Sequence, residues 1–356
     1  MNDMTNPRPA KKVLFATYTC MPDIGGVATA THNLCVALVE AGHDVKVVTL
    51  TRDALTDLGY DVIARPSYRS LIELYRESDV VLFNNTSIRL AWPSIVFGNK
   101  SYGLFHHSET LAEISGSNEG LKRWFSNYLA NRSRHYLASN YLKRSLQELL
   151  FGLQLEVIYP IARVTPLGQN LDQYSKRGGV LFAGRLVREK GVAFIIENWP
   201  KIRELLHVEK LTIVGDGPDR QAITDAAAAH FPQIELVGKM SPDKVLAKMR
   251  DAAYVIVPSV WAEPFGIVGV EGIAAGAVVI ASNRGGLSEA VGQIGVTFDL
   301  DDPSDFSAAL SAARKNRETI TSSEAEFQNF VEQRVAHLEQ FTARRALDTL
   351  SPLLNH

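Results

Sequence analysis

The amino-acid sequence predicts an α/β protein built from two doubly wound parallel sheets. Three observations support this fold class: a length of 356 residues, an ordinary globular composition, and a strand–helix alternation that runs through the chain twice. At roughly 150 residues per domain, the length allows two domains with separate cores. The composition, with 46% apolar and 21% charged residues, excludes disordered, collagen-like and coiled-coil proteins.

The first series of elements begins with a strand–helix–strand unit. Apolar residues at 11–20 predict a buried strand, the pattern over 28–40 predicts a helix, and the run at 45–50 predicts a second strand. Such a unit is typical of a parallel sheet with helices on both faces. The apolar runs that continue this series, each followed by helix-like sequence, lie at residues 80–83, 101–105 and 135–138.

The second series follows a stretch without clear periodicity, residues 158–179, which we interpret as the linker. Its predicted strands lie at residues 179–183, 211–215, 234–238, 254–258 and 277–281. The predicted domains are therefore 1–165 and 166–335, followed by a C-terminal helix at 336–356 that packs back on the first domain. Because such sheets bind ligands at the carboxyl ends of their strands, we expect both binding crevices at a cleft between the domains.

Charge and cysteine content exclude several classes of function. The 37 basic and 39 acidic residues nearly balance, whereas an electrostatic nucleic-acid binder is basic over much of its surface. The two cysteines, Cys20 and Cys35, form neither a CxxC pair nor a zinc-type cluster, which favours a reducing compartment. No apolar stretch has the length of a signal peptide or a membrane span. We expect a cytoplasmic protein without a nucleic-acid partner.

The most informative segment covers residues 258–276, PSVWAEPFGIVGVEGIAAG. Pro264 suits the first position of a helix, so Glu263 would precede that helix and Glu271 would lie about two turns within it. The N–H groups that would be free at the helix start, and would favour an anion there, belong to Phe265, Gly266 and Ile267. The two carboxylates can accept hydrogen bonds from hydroxyl groups, which suits a sugar nucleotide. The alternative is that Glu263 caps the helix and Glu271 is a solvated surface residue.

Basic residues follow the predicted strand that ends at Ala183. The sequence GRLVREKG places Arg185 and Lys190 directly after that strand. A guanidinium fork and an ammonium group both suit phosphate oxygens. Cations are also needed where carboxylates lie beside a bound diphosphate. We therefore interpret Arg185 and Lys190 as phosphate ligands.

The motifs GRLVREKG, VGDGP, EPFGIVGVE and AAGAVVIASNRGG resemble the donor-binding domain of retaining GT-B glycosyltransferases of family 4, the glycosyl transferases group 1. The resemblance covers most of residues 12–300, and the Glu-x7-Glu spacing with the Arg/Lys pair is its specific part. It implies two Rossmann-like domains that face a central cleft. It also implies that Arg185 and Lys190 hold the donor diphosphate, Glu263 contacts sugar hydroxyls and Glu271 binds the ribose. The implied backbone contacts to the donor come from Phe265, Gly266 and Ile267.

The same resemblance implies donor contacts from the N-terminal domain. The pair Gly25–Gly26 would approach the diphosphate closely. A histidine of the family touches the donor sugar, and the matching sequence Phe105-His-His-Ser-Glu109 selects His107 but leaves His106 as an alternative. In the second domain, the loop around Met240 resembles the place where the base meets main-chain groups.

An acidic run near residue 300 has the appearance of a metal-binding Asp-x-Asp. Asp299, Asp301 and Asp302 precede Pro303 and Ser304, however, which predicts a turn and a helix cap instead. We therefore expect no metal and no other cofactor, the nucleoside diphosphate sugar being a substrate.

The function implied by the resemblance is retaining, metal-independent transfer of a hexose from a nucleoside diphosphate sugar to an acceptor hydroxyl. The acceptor would be a glycan, a lipid-linked molecule or a small molecule in polysaccharide or glycolipid assembly. The alternatives are a GT-B sugar-nucleotide epimerase, a phosphorylase, or a binding protein without turnover. A dehydrogenase is disfavoured because no Gly-x-Gly-x-x-Gly follows the first strand.

A basic segment at residues 120–147 contains six Lys and Arg residues and no Asp or Glu. The aromatic residues Trp124, Phe125 and Tyr128 lie beside these charges on a predicted helix. Such a helix suits an anionic membrane surface, which predicts peripheral contact at the inner face of the membrane, or a groove for an acidic glycan. The alternative is that the aromatic side packs into the domain and the charges are solvated.

Overall fold

The computed structural model describes residues 10–22, 25–84, 87–108, 120–162, 167–168, 170–230 and 232–355. The chain forms two compact units. The first contains Met1–Ile161 together with Ala343–His356, and the second contains Ala162–Thr342. The first division therefore falls inside the stretch predicted to be the linker, and the second falls seven residues beyond the predicted position 335.

The first unit contains a parallel sheet of seven strands in the order β3-β2-β1-β4-β5-β6-β7. The strands are β1 (Lys12–Thr17), β2 (Asp44–Thr49), β3 (Asp61–Ala64), β4 (Val80–Asn84), β5 (Ser101–His106), β6 (Ser133–Leu137) and β7 (Leu155–Val157). The helices are α1 (Gly26–Glu40), α2 (Tyr68–Glu77), α3 (Ile88–Ala91), α4 (Gly120–Arg132), α5 (Asn140–Leu146) and, at the end of the chain, α15 (Ala343–Leu354); a 3₁₀ turn covers Trp92–Ile95.

Alternating side chains of β1 build a core on each face of this sheet. Val13 and Phe15 pack with residues of α1 and α15 on one face. Leu14 and Ala16 pack with residues of α2, α3 and α4 on the other face. Burial on both faces explains why the central strands are continuous apolar runs. The last helix, α15, contacts α1 and β5.

The second unit contains a parallel sheet of six strands in the order β10-β9-β8-β11-β12-β13. The strands are β8 (Gly178–Ala183), β9 (Leu211–Val214), β10 (Ile234–Gly238), β11 (Ala252–Val257), β12 (Val278–Ser282) and β13 (Val296–Phe298). The helices are α6 (Leu171–Ser175), α7 (Val192–Glu197), α8 (Trp199–Leu206), α9 (Arg220–Ala228), α10 (Pro242–Asp251), α11 (Ile267–Ala274), α12 (Leu287–Val291), α13 (Pro303–Ile320) and α14 (Glu324–Leu338); 3₁₀ turns cover Arg188–Lys190 and Glu339–Phe341.

Both sheets have the strand order of doubly wound α/β proteins, and the predicted fold class is confirmed. In each sheet the chain starts at a central strand, winds outward and then returns to the other side of that strand. The strand order reverses between β1 and β4 in the first unit and between β8 and β11 in the second. Ligands bind at such switch points, outside the carboxyl ends of the strands. Within the described residues, no helix combines the length and apolar character needed to cross a membrane.

Candidate active site

The switch point of the second unit brings together two segments that lie far apart in the sequence. The segment from Gly184 to Lys190 follows β8, and the segment from Pro258 to Glu263 follows β11, the neighbouring strand. The backbone N–H of Val260 donates to the carbonyl oxygen of Glu189 at 2.9 Å, which ties the two loops together. Side chains of both loops therefore occupy one edge of the sheet.

Lys190 and Glu263 form an ion pair across this switch point. The Nζ of Lys190 donates to Oε1 of Glu263, and the Ser259 hydroxyl donates to the same oxygen at 2.6 Å. Glu263 is only 6% exposed, and a buried carboxylate is stable only when it is paired and hydrogen-bonded. Its second oxygen, Oε2, makes no hydrogen bond with the residues that the structure describes.

The two predicted phosphate ligands differ in their surroundings. Lys190 lies over the ring of Trp261, with Nζ 5.7 Å from the ring centroid, and an ammonium group has three donors, so its contact with Glu263 leaves others available. The Arg185 side chain is exposed and makes no hydrogen bond or ion pair with the described part of the chain. The guanidinium of Arg185 is therefore a cation at the switch point that the described part of the fold does not use.

The helix predicted from Pro264 begins at Ile267 instead, and this prediction is wrong. Glu263 forms a parallel β-bridge with Gly285, and Gly266 has a φ of +97°, which lies outside the helical region. A Cβ on Gly266 would lie 2.3 Å from Cδ2 of Leu287, so the turn requires glycine both for its conformation and for its packing. Because of the Glu263 bridge and the left-handed φ of Gly266, the helix begins three residues after Pro264.

The other predicted donor-binding residues surround this turn. The ring of Phe265 is buried, with its centroid 5.4 Å from that of Phe341, so its side chain is not exposed to a ligand. Gly266 is the N-cap of α11 and Ile267 its first residue. Glu271 is half-buried in the second turn of α11. Met240 is half-buried in the loop between β10 and α10.

In the first unit, the predicted glycines and histidines follow β1 and β5. Gly25 is the N-cap of α1, and Gly26 is its first residue. A Cβ on either glycine would meet no atom of the described residues within 4 Å, and neither has a left-handed φ. His107 directly follows β5 and lines a pocket with Thr31 and Asn84. Glu109 of the matching sequence lies outside the described residues.

His106 faces a different environment from His107. It is 4% exposed, and its Nε2 lies 2.9 Å from Nδ1 of His135, whose Nε2 lies 2.9 Å from the carbonyl oxygen of Ala130. Because a carbonyl only accepts, His135 Nε2 must carry hydrogen, and His106 Nε2 therefore donates to His135 Nδ1. His106 belongs to a buried chain of hydrogen bonds, whereas His107 lines the pocket.

Burial lowers the pKa of all three rings. The pKa of His106 falls well below its ordinary value through burial first, and then through the nearby His135 and His107. Burial lowers the pKa of His107 to about 4. Burial also lowers the pKa of His135, against the opposing effect of its hydrogen bond to Ala130. All three imidazoles are therefore neutral at pH 7.

The acidic run near residue 300 forms a cap and ion pairs. Asp302 is the N-cap of α13, and its side chain accepts hydrogen bonds from the backbone of Ser304 and Asp305. The hydrogen bond from the Ser304 hydroxyl is the largest cause of a lowered pKa at Asp302. Asp299 and Asp301 both pair with Arg284. The predicted helix cap is confirmed.

Comparisons with known proteins identify the second unit. Residues 177–316 match the family model described as glycosyl transferases group 1. These residues form a group 1 glycosyltransferase domain. The domain includes Arg185, Lys190, Glu263 and Glu271, and the predicted resemblance is confirmed.

Two of the curated relatives each match part of the chain. One is a glycogen synthase of Mycobacterium tuberculosis, 36% identical over 161 residues, which are 40% of this chain and 38% of the relative. The other is a phosphatidyl-myo-inositol mannosyltransferase of Mycobacterium leprae, 30% identical over 185 residues, which are 48% of this chain and 49% of the relative. The chain spans less than half the length of these curated relatives.

A solved structure matches nearly the whole chain. Anabaena HepE, crystallised in complex with UDP-glucose, superposes with a TM-score of 0.69 at 16% identity. The match covers 97% of this chain and 100% of that chain. The group 1 domain is therefore part of a GT-B fold, as the sequence predicted.

Several residues of the candidate sites carry no recognisable signal in the sequence. Ser259 and Trp261 lie within the informative segment, but their contacts with Glu263 and Lys190 depend on how the two loops meet. Thr31 and Asn84 lie 53 positions apart, and only the order β1-β4-β5 brings them to the same pocket as His107.

Proposed function

We propose that this chain is a retaining family 4 glycosyltransferase that moves a hexose from a nucleoside diphosphate sugar to an acceptor hydroxyl. The observation that carries the proposal is the arrangement at the switch point of the second unit. A buried carboxylate lies against an ammonium group there, and neither its second oxygen nor the exposed Arg185 side chain, which follows the same strand as Lys190, has a partner among the described residues. A carboxylate that can accept hydrogen bonds from hydroxyl groups, next to cations that can bind phosphate, suits a sugar nucleotide.

In this proposal the second unit binds the donor. Arg185 and Lys190 bind the diphosphate, Oε2 of Glu263 accepts a hydrogen bond from a sugar hydroxyl, and Glu271 binds the ribose. The backbones of Phe265, Gly266 and Ile267 contact the sugar and phosphate, and the loop at Met240 meets the base. The complex of HepE with UDP-glucose supports a nucleotide sugar as the donor.

The first unit supplies the remaining donor contacts. The open space beside Gly25 and Gly26 supports a close approach of the diphosphate to the start of α1. His107, neutral at pH 7, donates or accepts a hydrogen bond at the donor sugar. The acceptor oxygen attacks the anomeric carbon on the face from which the diphosphate leaves, and the leaving diphosphate takes the proton. Stabilisation of its charge by Arg185 and Lys190 lowers the barrier.

The biological setting that we propose is polysaccharide or glycolipid assembly. A glycogen synthase and a phosphatidyl-myo-inositol mannosyltransferase among the relatives support these two acceptor classes. Peripheral contact with the inner face of a membrane would bring a lipid-linked acceptor to the enzyme. Leu121 and Trp124 of α4 support such contact because they are 78% and 52% exposed, beside Lys122 and Arg123.

A transfer assay with product analysis tests the proposal. We expect UDP-, GDP- or ADP-linked hexose to be consumed only with an acceptor, in the presence of EDTA, and to give a product with the donor's anomeric configuration. Glu263→Gln should mainly lower turnover, whereas Glu271→Gln should mainly weaken binding of the nucleotide. Inversion, a strict Mn²⁺ requirement, or wild-type kinetics in both variants would contradict it. Epimerised donor without acceptor, phosphate-dependent cleavage, or binding without turnover would identify the alternatives.

A further inference from the structure

Ser259 is a buried serine that links the Glu263 carboxylate to the neighbouring strand β12. Its hydroxyl donates to Oε1 of Glu263 at 2.6 Å, and its carbonyl oxygen accepts a hydrogen bond of 2.7 Å from the hydroxyl of Ser282, the last residue of β12. Ser259 is 1% exposed, and Ser282 is fully buried. A hydroxyl has a single hydrogen to donate, so the hydrogen of the Ser259 hydroxyl is committed to the carboxylate. A side chain this deeply buried acts on a ligand only through its neighbours.

The backbone is anchored on both sides of this hydrogen bond. On one side, the N–H of Val260 donates to the carbonyl oxygen of Glu189 in the loop after β8. On the other side, Glu263 forms its β-bridge with Gly285, and its carbonyl oxygen accepts a hydrogen bond of 2.6 Å from the N–H of Gly286. The loops after β8 and β12 therefore hold the segment at both ends. The freedom that remains for the carboxylate is rotation of the Glu263 side chain.

Two groups donate hydrogen bonds to Oε1 of Glu263, and a bound sugar nucleotide would affect them differently. Lys190 carries the ammonium group proposed to bind the diphosphate, and the negative charge of a diphosphate competes with the carboxylate for that cation. The Ser259 hydroxyl is neutral and buried, so it takes no part in this competition. Its hydrogen bond therefore keeps the plane of the carboxylate fixed when Lys190 is shared. Oε2, which has no partner among the described residues, then stays available to a sugar hydroxyl.

We propose that Ser259 is a positioning residue for glycosyl transfer: its hydroxyl holds Oε1 of Glu263 while Oε2 binds a hydroxyl of the transferred sugar. The hydrogen bond matters most in the transition state, because a small displacement of a group that contacts the reacting sugar costs much of its effect. This inference rests on the proposed function and deepens the role given there to Glu263. Loss of the Ser259 hydroxyl should therefore reduce turnover and leave the nucleotide bound.

Steady-state kinetics of the Ser259→Ala variant test this role, in the transfer assay with UDP-, GDP- or ADP-linked hexose. We expect kcat to fall about tenfold or more, as for the loss of a hydrogen bond to a charged group. The Kd of the corresponding nucleoside diphosphate should stay that of the wild type, because Arg185 and Lys190 remain. Ser78→Ala is the matched control, since the buried Ser78 hydroxyl donates to the carbonyl oxygen of Leu74 in the first unit. This control should keep the kcat of the wild type.

A double-mutant cycle with Glu263→Gln separates positioning from a general structural role. Glutamine has already lost the charge on which the sugar contact depends, so Ser259→Ala should lower kcat much less in that background. The same loss of kcat in both backgrounds would overturn the proposal. So would a wild-type kcat in Ser259→Ala, or loss of nucleoside diphosphate binding in that variant.

Ser259→Cys covers the case in which Ser259→Ala does not fold. A thiol is close to a hydroxyl in shape but is a weak donor, so kcat should still fall, and a wild-type kcat in this variant would overturn the proposal. A wild type that binds no nucleoside diphosphate, or that transfers no sugar, would instead reject the proposed glycosyl transfer.

Discussion

Single glycine residues at the two switch points differ in what surrounds them. Gly191 has a φ of +69°, and a Cβ there would lie 2.0 Å from the carbonyl oxygen of Pro258. Gly26 starts α1, and a Cβ there would meet nothing within 4 Å in the part of the chain that the structure describes. The fold requires glycine at position 191 but not at position 26.

Gly26→Ala should therefore separate stability from activity. Alanine is the better helix former, so the free energy of unfolding should stay within about 0.5 kcal/mol of the wild type or rise. Transfer should fall by at least about tenfold, because the methyl group occupies the space proposed for the diphosphate. Gly191→Ala is the contrasting variant, and its left-handed φ alone costs about 1–2 kcal/mol. Wild-type transfer by Gly26→Ala would show that the Gly25–Gly26 pair is only a turn.

Sequence patterns predicted individual site residues to different extents. Arg185, Lys190 and Glu263 belong to contiguous motifs, and the structure places all three at one switch point. The choice between His106 and His107 stayed open because it depends on the sheet. His106 meets His135 only because β5 and β6 are neighbours, and no spacing within one strand reveals that contact.

At the scale of elements, the strands that the sequence missed are β3, β7 and β13. All three are edge strands of their sheets. None is continuously buried, and each has only three or four residues, so neither an apolar run nor a clear alternation marks it. The helix start at Pro264 was wrong for a local reason. Proline suits the first position of a helix. The left-handed φ of Gly266, two residues later, prevents a helix from starting at Pro264.

The buried histidines that join β5 and β6 predict a pH dependence of stability. Their pKa values are lowered in the folded chain, so between pH 6.5 and 5 the unfolded chain binds more protons than the folded one. The histidines' contribution to the free energy of unfolding is therefore fully present above pH 6.5. It falls as the pH decreases, by up to about 1.4 kcal/mol per pH unit for each histidine.

Urea unfolding at pH 7 and pH 5 measures this effect. The unfolding free energy of the wild type should be lower at pH 5, and the difference should shrink in His135→Gln, which has one titrating ring fewer. Equal unfolding free energies at the two pH values would contradict burial of the neutral rings.

At the scale of the whole molecule, the formal charge of −2 conceals a local excess of basic residues in segment 120–147. Helix α4 has both buried and exposed apolar side chains. Phe125 and Leu129 are buried in the first unit, whereas Leu121 and Trp124 are exposed. Phe125 therefore packs inward, as the alternative interpretation expects, whereas Trp124 faces outward beside the basic residues, and membrane contact stays a prediction.

Liposome sedimentation tests the proposed membrane contact. Each basic residue near an anionic surface contributes about 1 kcal/mol, so the chain should sediment with anionic but not neutral vesicles at low salt. Lys122→Glu with Arg123→Glu should abolish this binding. The matched control reverses the charge of two exposed lysines of the second unit, Lys244 and Lys315. It should leave most of the binding to anionic vesicles. Equal recovery with neutral and anionic vesicles would show that the charges are only solvated.

Binding of nucleoside diphosphates is the most direct test of the donor site. A thermal-shift series with UDP, GDP and ADP should raise the Tm of the wild type with at least one of them, since ligand at a hundred times its Kd adds about 2.7 kcal/mol. Arg185→Ala is the decisive variant because the Arg185 side chain has no partner among the described residues. Arg188→Ala, which changes an exposed arginine of the same loop, is its control. We predict that Arg185→Ala weakens binding of the nucleoside diphosphate by about 1.5–3 kcal/mol, whereas Arg188→Ala binds it as the wild type does. No shift with any nucleoside diphosphate, or the same shift in both variants, would contradict the account.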